Sequence, residues 1–158
     1  MLKKHKYFFG VSLTLLFFAI DWISKHYLAK VTINHTITII PNFFNLVYVQ
    51  NTGVAFGFLA HLSGIYRFIF LIAISAIVVI IAFYFMFEEN TSKTLFIGLT
   101  MLAGGALGNL YDRIVHGYVL DFFDFYIKTY HYPAFNFADS FITVGILLIL
   151  YDKISKKI

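Results

Sequence analysis

Hydrophobic and polar positions alternate along this chain on two scales. On the long scale, four apolar stretches approach the roughly 18-residue length at which a helix can cross a bilayer. They run from Tyr7 to about Leu28, Ile65 to Phe87, Thr94 to about Val115, and about Phe135 to Tyr151. The first is uncharged from Tyr7 to Ile20 and then meets Asp21 and Lys25. A cleavable leader is the competing reading of that stretch. However, no small-x-small site follows the run, which continues instead through Asp21 and Trp22. On the short scale, Val31, Ile33, Ile37 and Ile39 alternate with Thr32, Asn34, Thr36 and Thr38, a strand period. Pro41-Asn42 reads as a turn, Phe43 to Val49 as a second strand, and Asn51-Thr52-Gly53 as another turn. The pattern predicts one membrane-embedded α-helical unit over residues 1–158. It has four transmembrane helices and a small extracytoplasmic sheet built from about 31–60, with a loop over the site.

Composition agrees. Of 158 residues, 60% are hydrophobic and 13% charged, against about 25% charged in a typical soluble domain. The absence of cysteine removes disulfides, thiolate metal sites and cysteine nucleophiles. The net charge of +4 bears on orientation rather than on nucleic acid. Lys3, Lys4, Lys6, Lys93, Lys153, Lys156 and Lys157 fall in short segments, whereas Lys25, Lys30, Arg67, Arg113 and Lys128 lie in the long connections. The positive-inside rule then puts both termini in the cytoplasm.

A carboxylate within a spanning helix costs about 2.5–3.5 kcal/mol on insertion scales, so each needs a partner. Asp21 and Lys25 share a helix face, either as an end-of-span ion pair or as part of a site. Gly104 and Gly108 permit close helix approach. Asn109, Asp112, Arg113 and His116 follow them as a polar stripe on one face, expected to be buried as a network. Asn136 and Asp139 are spaced for an N-cap. Asp121 and Asp124 stand among aromatics in the segment from Tyr118 to Phe125, read as a loop. If that segment is extended they point to opposite faces; if helical, they share one.

Several chemistries lack their residues. There is no His-Glu-x-x-His pair. His61 stands where a serine elbow at Ser63 needs glycine. Ser24 and Lys25 are adjacent and diverge by about 100° on a helix. Carboxylate chemistry remains, because two aspartates sharing a proton can activate water and protonate a leaving group. A small proton-coupled transporter also uses intramembrane carboxylates, but near the midplane rather than gathered at one end.

Five blocks in order resemble the bacterial lipoprotein signal peptidases (signal peptidase II). They are Asp21-Trp22-Ile23-Ser24-Lys25, Asn51-Thr52-Gly53-Val54-Ala55-Phe56-Gly57, the run from Gly104 to Arg113, Val119-Leu120-Asp121-Phe122, and the run from Phe135 to Ser140. Trp22 departs from the glutamine common in that family, and Val54 from its alanine. The resemblance implies an aspartyl endopeptidase of the bacterial inner membrane, with its site at the outer membrane surface. It would cleave signal peptides from diacylglyceryl-modified prolipoproteins just before the lipidated cysteine. Asp121 and Asp139 would be its catalytic pair. Asn51, Asn109, Arg113 and Asn136 would surround the scissile bond, with Gly53, Asp112, Asp21 and Lys25 in support. It implies no cofactor and no metal, contact with membrane lipid, and a monomer.

Overall fold

The computed structural model describes residues 3–53 and 63–156. The Val54–Gly57 part of the second block therefore lies outside the described residues. In chain order the elements are α1 (Lys3–Thr32), β1 (Ile37–Ile40), β2 (Phe44–Asn51), α2 (Gly64–Met86), α3 (Lys93–His116), β3 (Val119–Ile127), β4 (Tyr130–His131) and α4 (Phe137–Ser155).

Each long apolar stretch forms a helix. Among the described residues, three are long and apolar enough to cross a membrane: His5–Thr32, Gly64–Met86 and Lys93–His116. α4 is of similar length but carries Asp139, Asp152 and Lys153. By length and apolarity α4 therefore stands apart from these three. α2 buries only Ser75, Ala82 and Met86, while its isoleucines at 65, 69, 74, 77, 80 and 81 are exposed. Such an apolar surface suits lipid rather than water.

α3 is the central helix, packed against α1, α2 and α4. Its glycines are what let the neighbours in. A Cβ on Gly105 would lie 2.4 Å from the Ala138 carbonyl oxygen, and one on Gly108 would lie 2.3 Å from Asp21 Oδ2. Without side chains at these positions, the first turn of α4 and the carboxylate of α1 both reach the α3 backbone.

The sheet differs from expectation at both ends. The alternation from Val31 does not begin a strand: α1 continues to Thr32, and β1 starts at Ile37. Thr32 Oγ1 donates to the Leu28 carbonyl at 2.7 Å and Ile33 N to Ala29 O at 3.1 Å, so the β-branched residues extend the helix already running. The Tyr118–Phe125 segment is largely strand rather than loop. It is the centre of an antiparallel sheet ordered β1-β2-β3-β4. Pro41-Asn42 does turn the chain, with Asn42 at φ 61°. A register shift in β2 lies between Leu46, opposite Phe123, and Val49, opposite Asp121. Such bulges re-aim side chains, and this one leaves Asn51 and Asp121 as diagonal neighbours on one face.

Candidate active site

β3 and the start of α4 are joined through backbone. Phe123 N donates to Phe135 O at 2.8 Å, and Phe135 N returns a bond to Phe123 O at 3.1 Å. That pairing sets Asn136, the next residue, beside Asp121. Asn136 then acts in two directions. Its Oδ1 accepts from Asp139 N at 2.9 Å while its own N donates to Asp139 Oδ2 at 3.2 Å, a capping box that starts α4. Its Nδ2 donates to Asp121 Oδ1 at 2.7 Å and to Leu120 O at 3.2 Å. A single buried amide therefore fixes the two aspartates relative to each other.

Two further asparagines complete the cradle. Asn51 Nδ2 donates to Asp121 Oδ2 at 2.9 Å, and its Oδ1 accepts from Gly53 N at 2.8 Å. Gly53 holds φ at 86°, a left-handed turn that glycine adopts without strain. Asn109 Nδ2 donates to Asp139 Oδ1 at 2.8 Å. Both aspartates thus accept hydrogen bonds from neutral amides. Burial, and next the charge of Asp139, push the Asp121 carboxyl up to about 7; the Asn51 and Asn136 bonds and the charge of Lys25 pull the other way.

Beneath this pair lies a second carboxylate cluster. Lys25, 4% exposed, sits 2.8 Å from Asp21 Oδ2 and 3.0 Å from Asp112 Oδ2. It also donates to Asn109 Oδ1 at 3.1 Å. Asp21 accepts from Ala138 N at 2.8 Å, in the first turn of α4. Asp112 accepts from Leu120 N at 3.2 Å, at the start of β3. The ion cluster therefore ties α1, α3, β3 and α4 together under the aspartate pair.

The polar stripe on α3 divides. Asn109 and Asp112 are buried, and His116 is half-exposed with Nδ1 3.7 Å from Asp112. The Arg113 guanidinium turns to α2, where it donates to Ser75 Oγ at 3.3 Å, and to its own helix at Asn109 O, 3.2 Å. It still lines a cavity of about 380 Å³ together with Asn51 and Arg67. A second cavity of about 290 Å³ touches Asp121 from the side of Pro133 and Ala134. Asp124 lies apart from Asp121. It accepts from Asn45 Nδ2 at 3.0 Å and pairs with His131 Nδ1 at 2.7 Å. Among the described residues, no group of three His, Asp or Glu side chains is placed to hold a metal ion.

A model of the family described as signal peptidase (SPase) II matches residues 13–155. The chain belongs to the signal peptidase II family. A lipoprotein signal peptidase of Burkholderia cenocepacia is 42% identical over 149 residues, covering 93% of this chain and 87% of that protein. One of Sulfurihydrogenibium sp. is 41% identical, covering 99% and 97%. A solved bacterial membrane enzyme superposes with a TM-score of 0.80 at 31% identity, covering 94% of this chain and 88% of that one. Family membership makes the protein a peptidase with membrane-span helices and a small antiparallel sheet.

Within this signal peptidase II fold, the residues singled out for the site reach the aspartate pair or the lysine cluster directly or through one hydrogen-bonded neighbour, Arg113 through the Asn109 carbonyl, whereas Asp124 reaches neither. Ser75, the partner of Arg113, carried no signal: a serine in an apolar helix commonly donates to its own backbone, as Ser75 also does to Leu71 O at 2.8 Å. The Asn45–Asp124–His131 group was equally silent, because its members meet only through cross-strand register.

Proposed function

We propose that this chain removes signal peptides from diacylglyceryl-modified prolipoproteins by aspartyl chemistry, cutting before the lipidated cysteine. The observation that carries this reading is the pair Asp121 and Asp139, joined by Asn136 and held by neutral donors in a cleft between sheet and helices. A carboxyl pushed up to about 7 keeps a proton near neutrality, so the pair can hold one proton between an acid and a base. The ionised partner takes a proton from water, which attacks the scissile carbonyl. The protonated partner polarises that carbonyl and then gives its proton to the departing amine. Neither step calls for a metal or a nucleotide.

The likeness to proteins named lipoprotein signal peptidase supports the substrate class. The placement of the pair at the sheet end of the bundle favours a substrate that arrives sideways in the bilayer. On this reading α4 is a fourth span, both termini are cytoplasmic, and the sheet with its site faces the outer surface of the bacterial inner membrane. The protein works as one membrane-embedded unit over residues 1–158 and as a monomer. Incubating purified protein with a diacylglyceryl-modified prolipoprotein should lower the substrate mass by that of its signal peptide. An intact substrate would overturn the proposal. Reporter fusions after Lys93 and after Ile158 should read cytoplasmic, and one in the 32–38 segment external; an external carboxyl end would remove the four-span topology.

A further inference from the structure

A cavity of about 370 Å³ at the sheet end of the bundle has no part in the aspartate chemistry. Its lining includes Trp22, His26 and Lys30 from α1, Tyr48 from β2, and His116 and Tyr118 at the end of α3. The three α1 residues recur every fourth position and so share a face. Trp22 stacks on His26, with ring centroids 5.6 Å apart and 14° between planes.

The donors in this cavity exceed its acceptors. Lys30 has no hydrogen bond or ion pair among the described residues. The Tyr48 and Tyr118 hydroxyls lie 2.9 Å apart and satisfy each other with one bond. Two hydroxyls carry two hydrogens, so one remains to donate elsewhere. His26 and His116 add ring N–H groups. Of the carboxylate in the lining, Asp112, Oδ2 takes Lys25 and Leu120 N, and Oδ1 stands 3.7 Å from His116 Nδ1, beyond hydrogen-bond distance. From the cavity the same face of α1 descends through Leu15, Val11 and Phe8, all exposed. An anionic head with an apolar tail matches both parts, and Trp and Tyr are the residues enriched at the level of lipid headgroups.

We propose that this cavity binds the phosphate of a membrane phospholipid, with Lys30, His26, His116 and a tyrosine hydroxyl as donors and the acyl chains along α1. The inference rests on α1 and α3 crossing the membrane, and its readout is independent of peptidase activity. Trp22 is the single tryptophan of the chain, so its emission reports on the cavity directly. Purified protein in a non-ionic detergent is titrated with short-chain phosphatidylglycerol, with diacylglycerol of the same chain length, and with inorganic phosphate. The phospholipid should change the emission saturably and the diacylglycerol should not. Lys30→Ala should raise the half-saturating lipid about tenfold, the loss of roughly one charge-assisted bond, and Lys30→Arg should recover most of it. An equal response to diacylglycerol overturns the proposal. So does an unchanged half-saturation in both Lys30→Ala and His116→Ala. Inorganic phosphate saturating the site as tightly as the lipid assigns it to a free ion and likewise overturns the lipid.

Discussion

Two pairs of aspartates stand close together in this molecule and are treated in opposite ways. Asp21 and Asp112 share a lysine cation at 2.8 and 3.0 Å. Asp121 and Asp139 accept their side-chain hydrogen bonds from the amides of Asn51, Asn109 and Asn136. A buried cation sets a full opposite charge against the carboxylate it positions, whereas a neutral amide favours the ionised form only through its hydrogen bond, and Asp121 still rises to about 7. Asn109 belongs to both pairs, accepting from Lys25 and donating to Asp139. It passes on the rigidity of the ion cluster without placing a cation on Asp139. Structure and chemistry are thereby divided between carboxylates of the same residue type.

The division can be tested in order of effect. Asp121→Asn and Asp139→Asn should each cut turnover on lipidated prolipoprotein by about 10³-fold or more, since neither amide can take a proton from water. The double variant should be little worse than either single one, because the pair acts as a unit. Lys25→Met should show its effect in folding instead. It strands two buried carboxylates and should cost about 3–5 kcal/mol in thermal unfolding in detergent. If Lys25→Met is stable but inactive, the division is wrong.

The third test is one of pH. The pair should give a bell-shaped profile whose limbs belong to both aspartates together. The Asn51 bond favours the ionised form of Asp121, so Asn51→Ala should move the limb near 7 to higher pH. The same shift has a stability signature. Asp121 rises from 3.8 to about 7 on folding, so the folded state holds a proton that the unfolded state releases. Stability should therefore fall as pH climbs through that interval and level off above it. Asp121→Asn should abolish this fall in a thermal-unfolding series; an unchanged slope would assign it to another group. The smallest effect is expected from Asp124→Asn, which removes a carboxylate bound to Asn45 and His131. It should cost about 1 kcal/mol of stability and leave most turnover intact. A dead Asp124→Asn beside an active Asp121→Asn would transfer the role to Asp124.

The helices were legible because their apolar runs are long and their interruptions few. The strands were legible only in part. Val31 to Asn34 alternates as a strand does, yet the helix already running through Leu28 and Ala29 absorbs Thr32 through its side-chain bond to the preceding turn. Tyr118 to Phe125 reads as a loop because its two aspartates interrupt the apolar residues. Both are buried by partners outside the segment, Asn51 and Asn136 for one, Asn45 and His131 for the other. The N-cap at Asn136 could be read from Asn-x-x-Asp spacing. Its second bond, to Asp121, could not, because it depends on Phe123 pairing with Phe135.

The glycine contacts of α3 also bear on which length changes the chain can accept. α4 is pinned to α3 twice: the Ala138 carbonyl lies against Gly105, and Gly145 lies against the Gly98 carbonyl. The pins are equally spaced on both helices, 98 to 105 and 138 to 145. A side chain can swing aside when its neighbour shifts, but these contacts are between backbones and have no rotamers to adjust. One residue inserted between Asp139 and Gly145 would turn the two ends of α4 by about 100° relative to each other. One pin or the other would have to break. α2 meets α3 through side chains, Ser75 and Met86 among them, and these can change rotamer, so the same insertion there should cost less. Lineages of this protein should therefore vary in the length of α2 and its connections, and keep the interval from Asn136 to Gly145 residue for residue.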